Sequence, residues 1–325
     1  MTDWLKVLDR KKKQLDQLRP LPQELVKNLD DWLRIELTYT SNAIEGNTLS
    51  RQETALVVEK GLTVSGKTLK EHQEAINHAA AWELVKQLAK AGKPISANDI
   101  LAIHQQILNQ IDDQNAGRYR AVPVRISGST VVLPNPLKAP ELMEKLVTWL
   151  KSVKDSPIRI AAEVHYKLVS IHPFTDGNGR TARLLMNLLL LKSGYPAAII
   201  AKEERLKYLN SLEKAQLGDS LDDYYQLIYA AVDRSLEIYL KAAANKSKST
   251  GESKLLKIGE LAKLSGETSH TLRFWTKSGL LSLAGHSRGG YQLYDQVTLE
   301  RVKTIRKLQT EKRLTIKEIK AKIAQ

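Results

Sequence analysis

Apolar residues recur at intervals of three and four along most of this chain, which is the spacing of amphipathic helices. Val164, Leu168 and Ile171 predict one helix face that ends at a His-Pro corner. A second apolar segment covers residues 184–191, and the stretch before it, residues 172–183, is polar and contains two glycines. The pattern therefore predicts a helix, a tight loop and a second helix.

The first 90 residues follow the same helical period. Trp4 and Leu8 begin an amphipathic pattern that Pro20 interrupts, because proline cannot continue a helix. Helical spacing resumes at about residues 23–39 and again over residues 70–115. The N-terminal part of the chain should therefore be built mainly of α-helices.

Residues 124–133 depart from that period. Val124 and Ile126 precede a Ser-Gly-Ser sequence, and Val131 and Leu133 follow it, which predicts two short strands around a turn. Prolines after the second run would end that strand. The predicted fold class is mainly α with one small β-hairpin in the first domain and a smaller C-terminal domain.

Composition sets the class of protein. The chain has 325 residues, 42% of them hydrophobic and 26% charged, which is ordinary for soluble globular proteins and long enough for two domains. The absence of cysteine excludes disulfides and thiolate metal sites. No run approaches the roughly 20 apolar residues of a membrane span. We expect a cytoplasmic protein that has no membrane partner.

The net charge of +14 is distributed unevenly. Residues 246–325 carry 17 Lys and Arg against 7 Asp and Glu, whereas residues 1–245 carry 33 against 29. Such an asymmetry indicates nucleic acid as a partner of the C-terminal part, with a solvated basic face as the alternative.

Two glycines flank Asn178 at the start of the second predicted helix. Gly177 and Gly179 allow successive backbone N–H groups to converge, and the helix N-terminus adds partial positive charge. This combination favours an anion, and phosphate is the natural ligand. The alternative is a polar loop between helices in which an acidic residue caps the second helix.

Charged side chains around the loop fit the same ligand. Asp176 could hold a Mg²⁺ ion that bridges phosphate oxygens, and Arg180 and Arg183, one turn apart, could bind further phosphate oxygens. His172 at the rim is the candidate general base, because an imidazole titrates near neutral pH.

Residues 172–183, His-Pro-Phe-x-Asp-Gly-Asn-Gly-Arg-x-x-Arg, closely resemble the core motif of the Fic family. Most members transfer AMP from ATP to a hydroxyl side chain of a target protein, so the resemblance implies ATP and Mg²⁺ as cofactors. It also implies a helical Fic fold whose β-hairpin, the flap, holds the target by main-chain pairing. Gly179 stands where the phosphotransferase branch carries Lys, which favours nucleotidyl transfer. The implied roles are His172 as base, Asp176 as Mg²⁺ ligand, Gly177, Asn178 and Gly179 as anion hole, Arg180 as phosphate contact, Arg183 as γ-phosphate contact and Phe174 as core anchor.

Ser41 and Glu45 are four residues apart and therefore share one helix face, and Gly46 suits the end of that helix. Alone this is a weak signal, and a solvated Glu before a helix C-cap explains it better. Beside the core motif it resembles the inhibitory motif of the Fic subclass that carries its own inhibitor. In that case Glu45 would form a bidentate pair with Arg183 at the γ-phosphate position. The animal relatives suggest that the same Glu positions a water that removes AMP.

Tyr208 lies where the family places a tyrosine that contacts adenine, although a plain core tyrosine fits the pattern nearly as well. Gln216 aligns with a position at which relatives often have Asn against the nucleotide. The adenine site is therefore the least defined part of the predicted pocket.

Residues 61–68 match the P-loop template Gly-x4-Gly-Lys-Thr letter for letter. A P-loop needs an apolar strand before its first glycine. Here Ser50 and Glu53 instead form the sequence signature of a capping box, which predicts a helix that ends at Gly61. We therefore reject a P-loop.

Residues 242–254 are polar and predict a flexible linker, and residues 255–325 follow the pattern of a helix-turn-helix with a hairpin wing. Sequences such as Ile-Gly-Glu-Leu-Ala and Thr-Leu-Arg-Phe-Trp resemble the MerR-type winged helix. The likeness implies that Thr271, Arg273 and Arg288 meet DNA. Because the long dimerisation helix of MerR regulators has no counterpart before the last residue given, we expect any homodimer to form through the first domain.

Two hypotheses follow. The first is an ATP-dependent protein adenylyltransferase over residues 1–241, with its core at about 96–241, inhibited by Glu45 and joined to a tail that binds DNA or docks a protein partner. The second is a transcription regulator whose Fic domain serves as an ATP sensor. His172 favours the enzyme, because a sensor needs no base at that position.

Overall fold

The computed structural model describes residues 3–249, 255–287, 291–295, 297–312 and 314–323. The chain divides into two compact units between Ala243 and Ala244. In the described residues of the first unit the α-helices are α1 Trp4–Gln17, α2 Gln23–Ile44, α3 Arg51–Lys60, α4 Leu69–Lys90, α5 Ala97–Leu108, α6 Ala139–Ser152, α7 Pro157–Ile171, α8 Asn178–Lys192, α9 Arg205–Gln216 and α10 Asp222–Ser249.

The core of the first unit lies around α7 and α8, which pack against each other along their length. Leu168 of α7 and Leu185 of α8 are fully buried, and Phe174 from the loop between them is buried with them. Helices α4 and α5 contact α8 from the other side, and α2 packs on α4. The predicted helix, tight loop and helix are therefore confirmed, with Phe174 as the core anchor.

Local capping sequences set where several of these helices begin. Ser50 accepts a hydrogen bond from the Glu53 N–H, and Glu53 in turn accepts from the Ser50 N–H at 2.7 Å. Helix α3 then ends at Gly61, whose φ of 63° lies in the left-handed region. The P-loop template thus falls on a helix end followed by a loop, and its rejection is confirmed.

The predicted hairpin at residues 124–133 is wrong in one respect. The turn exists, because the Ser129 N–H donates to the Ile126 carbonyl at 3.2 Å. In this described stretch the two arms are not assigned as strands and exchange no backbone hydrogen bonds. The turn is held from outside instead, by Glu213 of α9, which accepts from the Ser129 hydroxyl at 2.7 Å and from the Thr130 N–H at 3.3 Å. We call residues 122–134 the flap.

Helix α10 continues to Ser249 through the start of the linker predicted at residues 242–254. Polarity alone predicted that linker, but alanine and lysine between residues 242 and 248 are good helix formers and nothing there breaks a helix. Residues 250–254 lie outside the described residues.

The second unit has the predicted winged-helix arrangement. Its strands β1 Leu256–Lys257, β2 Gly285–His286 and β3 Gln292–Tyr294 pair antiparallel in the order β1–β3–β2, and β2 and β3 form the hairpin of the wing. A capping box at Thr315 and Glu318 opens the last helix, as predicted. The elements are β1 Leu256–Lys257, α11 Ile258–Ser265, α12 Ser269–Lys277, β2 Gly285–His286, β3 Gln292–Tyr294, α13 Val297–Lys312 and α14 Ile316–Ile323.

A small apolar core holds this unit together. Leu261 of α11, Leu272 and Trp275 of α12, Ile305 of α13 and Ile319 of α14 are at most 1% exposed. Among the described helices of the whole chain, none combines the length and apolarity that crossing a membrane requires.

The small core predicts a strong dependence on single side chains. Leu272→Ala should lower the free energy of unfolding of the second unit by about 2–5 kcal/mol, because it leaves a cavity that the surrounding helices cannot fill. Leu264→Ala, on the exposed side of α11 at 58% exposure, is the matched control and should cost under about 0.5 kcal/mol. Scanning calorimetry of the full chain measures both, and equal effects would contradict the assigned core.

Candidate active site

The loop between α7 and α8 is defined by two left-handed residues. His172 ends α7 with φ 49° and ψ 58°, and Gly177 precedes α8 with φ 76°. A Cβ on Gly177 would lie 3.2 Å from Ile107 and 3.3 Å from His104. Glycine at 177 therefore meets both a backbone and a packing requirement.

Asn178 and His104 hold the loop in shape. The Asn178 side chain accepts from the Phe174 N–H at 3.0 Å and donates to the Phe174 carbonyl at 2.9 Å. The His104 ring stacks on the Phe174 ring at 3.6 Å, and its Nδ1 accepts from the Gly117 N–H at 3.1 Å. His104 Nε2 must then carry the proton, which it donates to the Asp176 carbonyl at 3.0 Å.

Helix α8 begins without a side-chain cap. The first N–H of this helix that reaches a backbone acceptor is that of Thr181, which donates to the Gly177 carbonyl at 2.9 Å. The N–H groups of Asn178, Gly179 and Arg180 precede that bond, and such groups at a helix N-terminus are the usual place for an anion. These are the N–H groups at which the sequence predicts an anion hole.

His172 is prepared to act as a base. Its Nδ1 lies 3.2 Å from the Val169 carbonyl, so Nδ1 carries the proton and Nε2 keeps its lone pair. Burial lowers the pKa of His172, and the nearby Arg120 charge acts in the same direction, against the Val169 carbonyl and the carboxylates of Glu45 and Asp176. The imidazole is therefore neutral at pH 7.

Arg120, which the sequence did not single out, joins this loop to the flap. Its Nε–H donates to the His172 carbonyl at 2.8 Å, and its backbone N–H donates to the Pro173 carbonyl at 2.9 Å. Its Nη1 donates to the Val122 carbonyl at 3.2 Å and its Nη2 donates to the Pro134 carbonyl at 2.5 Å. These two residues are the ends of the flap. One buried side chain thus fixes the flap relative to the histidine.

Arg183 binds residues at the C-terminal end of α2. Its Nε donates to the Ser41 hydroxyl at 3.0 Å, and its Nη2 donates to the Ser41 carbonyl at 2.9 Å and to Glu45 Oε1 at 2.7 Å. The predicted contact between Glu45 and Arg183 is present. The predicted bidentate form is wrong: the Nε–Nη2 edge of the guanidinium faces the hydroxyl and carbonyl of Ser41, and the carboxylate receives a single bond from Nη2.

Gly179 is what allows that contact. A Cβ at this position would collide with Glu45 Oε1 and lie 3.0 Å from Arg183 Nη1. The carboxylate therefore rests against the first turn of α8, beside the N–H groups that precede its first backbone hydrogen bond.

The spacing of Arg180 and Arg183 suggested that both side chains bind at one place. In the structure they contact different groups. Arg180 is 2% exposed; its Nη1 lies 3.3 Å from Glu74 Oε1 and its Nη2 3.3 Å from Asp176 Oδ2. Its Nε has no hydrogen-bond partner among the described residues, and Nη1 faces Glu74 without hydrogen-bond geometry. Arg180 thus has donor capacity left over, but it belongs to a different cluster from Arg183.

Asp176 remains the candidate Mg²⁺ ligand. Its side chain is 53% exposed. Burial alone would raise its pKa, but the Arg180 charge and the Gly177 N–H outweigh burial and lower it, so the group is ionised. In the described part of the chain, three or more His, Asp or Glu side chains do not gather into a metal cage. A single carboxylate that leaves the remaining positions to phosphate and water suits Mg²⁺.

A cavity of about 340 Å³ opens beside the loop. His172, Gly179, Arg183 and Glu45 line one side, the turn of the flap lines another, and α9 supplies Tyr208, Asn210 and Gln216. Tyr208 is 1% exposed, and burial raises the pKa of its hydroxyl. Asp176 and Arg180 are absent from the lining, and Asn210 was missed because it belongs to no recognised motif.

The predicted DNA contacts lie in the second unit. Arg273 is exposed on α12, whereas the Thr271 hydroxyl shares a 2.9 Å hydrogen bond with the Thr268 hydroxyl at the start of that helix. Arg288 lies outside the described residues.

The fold and the site together define a helical protein that places an uncapped helix N-terminus beside a neutral histidine. The model of the Fic/DOC family matches residues 94–190, and the model of MerR HTH family regulatory proteins matches residues 256–325. Protein adenylyltransferase Fic of Culex quinquefasciatus is 37% identical over 244 residues, which are 74% of this chain and 48% of that protein. Protein adenylyltransferase fic-1 of Caenorhabditis elegans is 39% identical over 225 residues, 67% of this chain and 44% of that protein.

Two solved structures are similar in fold as well. Residues 134–508 of Fic-1 from C. elegans superpose with a TM-score of 0.68 at 34% identity, covering 75% of this chain and 72% of that one. A Fic domain containing signaling protein from Bacteroides thetaiotaomicron superposes with a TM-score of 0.67 at 32% identity, covering 75% and 97%. This chain belongs to the Fic/DOC family. It spans about half the length of the curated relatives it matches.

Buried histidines predict acid sensitivity. Burial lowers the pKa of His78, His104 and His165 to about 3, 4 and 3, below their ordinary value of 6.5. The unfolded chain therefore binds more protons below pH 6.5, and stability is complete above that value and falls as the pH drops. Each histidine should remove up to about 1.4 kcal/mol per pH unit once the pH lies well below 6.5, measured by urea unfolding between pH 6 and 5. His78→Gln should reduce the slope of unfolding free energy against pH by the contribution of one histidine. An unchanged slope would show that His78 is not a source of the acid sensitivity.

Proposed function

We propose that the first unit transfers AMP from ATP to a hydroxyl side chain of a target protein, and that Glu45 inhibits this transfer. The observation that carries the proposal is a neutral His172 beside the uncapped N-terminus of α8, in the cavity that Arg183 and Glu45 also line. The names of the Culex and Caenorhabditis relatives support the reaction class.

The transfer would proceed as one substitution at phosphorus. His172 Nε2 accepts the proton of the target hydroxyl, whose oxygen then forms a bond to the α-phosphorus of ATP. The bond from that phosphorus to the pyrophosphate oxygen breaks, and pyrophosphate leaves. The N–H groups at the start of α8 stabilise charge that develops on the phosphate oxygens, because they are oriented before the reaction starts.

Asp176 is the residue that would hold Mg²⁺, which supplies charge neutralisation on the phosphates when bound. Arg180, with an unpartnered buried Nε, is the neighbouring cation that lowers the pKa of Asp176 and keeps it ionised. Arg183 would contact the γ-phosphate once Glu45 has left it.

The flap suits a protein substrate. In the described structure the backbone N–H groups of residues 124–126 and 132–133 have no hydrogen-bond partner, so they are available to a segment of the target. Main-chain pairing of this kind tolerates many target sequences. Arg120 would keep a segment paired with the flap in register with His172, because Arg120 binds both the flap and the His172 carbonyl.

For the second unit we propose binding to duplex DNA. The match to MerR HTH proteins, the basic composition of residues 246–325 and the exposed Arg273 on α12 support it. A regulator that uses the Fic domain only to sense ATP is the alternative, and it predicts DNA binding without AMP transfer.

Replacing Glu45 by Gly should raise AMP transfer, including self-modification, by more than about tenfold, because Arg183 then reaches the γ-phosphate and aligns the α-phosphate for attack. Labelled ATP with purified protein and cell lysate measures the transfer. The double variant Glu45→Gly, Arg183→Ala should lose the gain.

The matched test of the base uses the same background. His172→Ala added to Glu45→Gly should lower transfer by roughly 10²–10⁴-fold, since general-base catalysis contributes that much. Transfer that persists without His172, or a Glu45→Gly protein no faster than the parent at saturating Mg²⁺-ATP, would refute the proposal.

Affinity of the full chain for duplex DNA should fall log-linearly with salt, by roughly one log unit per log unit of salt for each phosphate neutralised. Arg273→Ala should reduce the magnitude of that slope by about one if Arg273 meets phosphate. Fluorescence anisotropy at several salt concentrations measures the slope. Binding that is absent or insensitive to salt would favour a protein partner for this unit.

A further inference from the structure

A line of buried polar side chains runs from Arg183 into the core of the first unit. Arg183 Nη1 lies 3.4 Å from the Tyr208 hydroxyl, which lies 2.8 Å from His165 Nε2. His165 Nδ1 lies 2.8 Å from the Tyr224 hydroxyl, which ends the line 2.9 Å from the Ala162 carbonyl. Tyr208, His165 and Tyr224 are at most 1% exposed, and water is therefore not their partner.

The direction of each hydrogen bond in this line follows from its far end. The Tyr224 hydroxyl oxygen and the Ala162 carbonyl oxygen are 2.9 Å apart, and two oxygens approach so closely only with a proton between them. The carbonyl has none to give, so Tyr224 donates. Its oxygen then accepts from His165, which places the proton of the imidazole on Nδ1.

The remaining bonds are then determined. His165 is neutral, since burial lowers its pKa to about 3, and with its proton on Nδ1 the Nε2 atom can only accept. Tyr208 must donate to it. The lone pairs of the Tyr208 oxygen are thereby left for Arg183, a permanent donor.

The Tyr208 hydroxyl belongs to a different helix from the other partners of Arg183. Ser41 and Glu45 both lie at the end of α2, so a movement of that segment removes both contacts together. Tyr208 lies on α9 and is fixed from inside the core. It is the partner that remains when the inhibitory segment is displaced.

The geometry points to His165 and Tyr224 as positioning residues, which turn the Tyr208 hydroxyl into an acceptor and so hold Arg183 in place for the γ-phosphate. The inference rests on the proposed function, because it takes ATP as the ligand of Arg183. We call Tyr208, His165 and Tyr224 the relay. The inference predicts that the relay sets the preference for ATP over ADP and does not affect nucleotide binding in general.

The test compares two neutral replacements of His165 in the Glu45→Gly chain. Leucine removes the relay, whereas glutamine keeps an acceptor oxygen for Tyr208 and a donor N–H for Tyr224. Calorimetric titration with Mg²⁺-ATP and Mg²⁺-ADP should show ATP binding weakened about tenfold by His165→Leu, as for loss of one hydrogen bond to a charged group, with ADP unchanged. His165→Gln should stay within about twofold of its parent for both nucleotides.

Equal weakening of ATP and ADP, or a glutamine variant that behaves like the leucine variant, would overturn the inference, since either result indicates a merely structural role. If His165→Leu does not fold, Tyr224→Phe replaces it: the ring of His165 can then adopt either tautomer, and the ATP preference should fall in the same direction. A preserved ATP preference would again overturn it. Failure of AMP transfer in Glu45→Gly would refute the proposed function, while the ratio of the two affinities still decides the role of His165.

Discussion

The guanidinium of Arg183 is a permanent charge buried inside the first unit, and such a charge must be paired. Its partners come from parts of the chain far apart in sequence, so the end of α2, the first turns of α8 and the start of α9 have to meet there. The pair with Glu45 is unequal, because the Arg183 side chain is 6% exposed and that of Glu45 is 39% exposed. Solvent screens the carboxylate, which makes it the partner that can leave at a modest cost. Ser41 and Tyr208 keep the arginine satisfied when it does.

The end of α2 is itself held by α4. Asn42 donates to the Glu74 carbonyl at 3.2 Å, and Asn47 donates to the Glu74 carboxylate at 2.9 Å, so one residue of α4 fixes both sides of Glu45. The same carboxylate faces Arg180 at 3.3 Å. The inhibitory segment and the motif are therefore connected twice, once through Arg183 and once through Glu74. Displacement of the Glu45 side chain alone would leave the second connection in place.

Sequence could predict what is local. The motif at residues 172–183 is contiguous, and its helix, loop and helix formed as expected; the capping boxes at Ser50 and Thr315 depend on residues three apart. Arg120, His104 and Glu74 were missed because each acts on a loop distant in sequence, and no spacing records that contact. The flap was predicted as a hairpin because its residues alternate, yet Glu213 of α9 holds its turn in place of a strand ladder. Ser41 was included in the inhibitory motif, but its double contact with Arg183, which removes the bidentate pair, depends on how α2 packs on α8.

Gly179 lies where the proposed inhibition and the proposed phosphate binding would share one space. The collision of a Cβ with Glu45 Oε1 places the carboxylate against the first turn of α8, where the free N–H groups would also receive phosphate. A carboxylate and a phosphate oxygen are both anions, and the partial positive charge of a helix N-terminus favours either. Under the proposed function, inhibition would therefore be competition between an internal anion and the nucleotide phosphates for one cradle. The part of the cavity that α9 lines would not be contested, so nucleotide could remain bound while its phosphates are displaced.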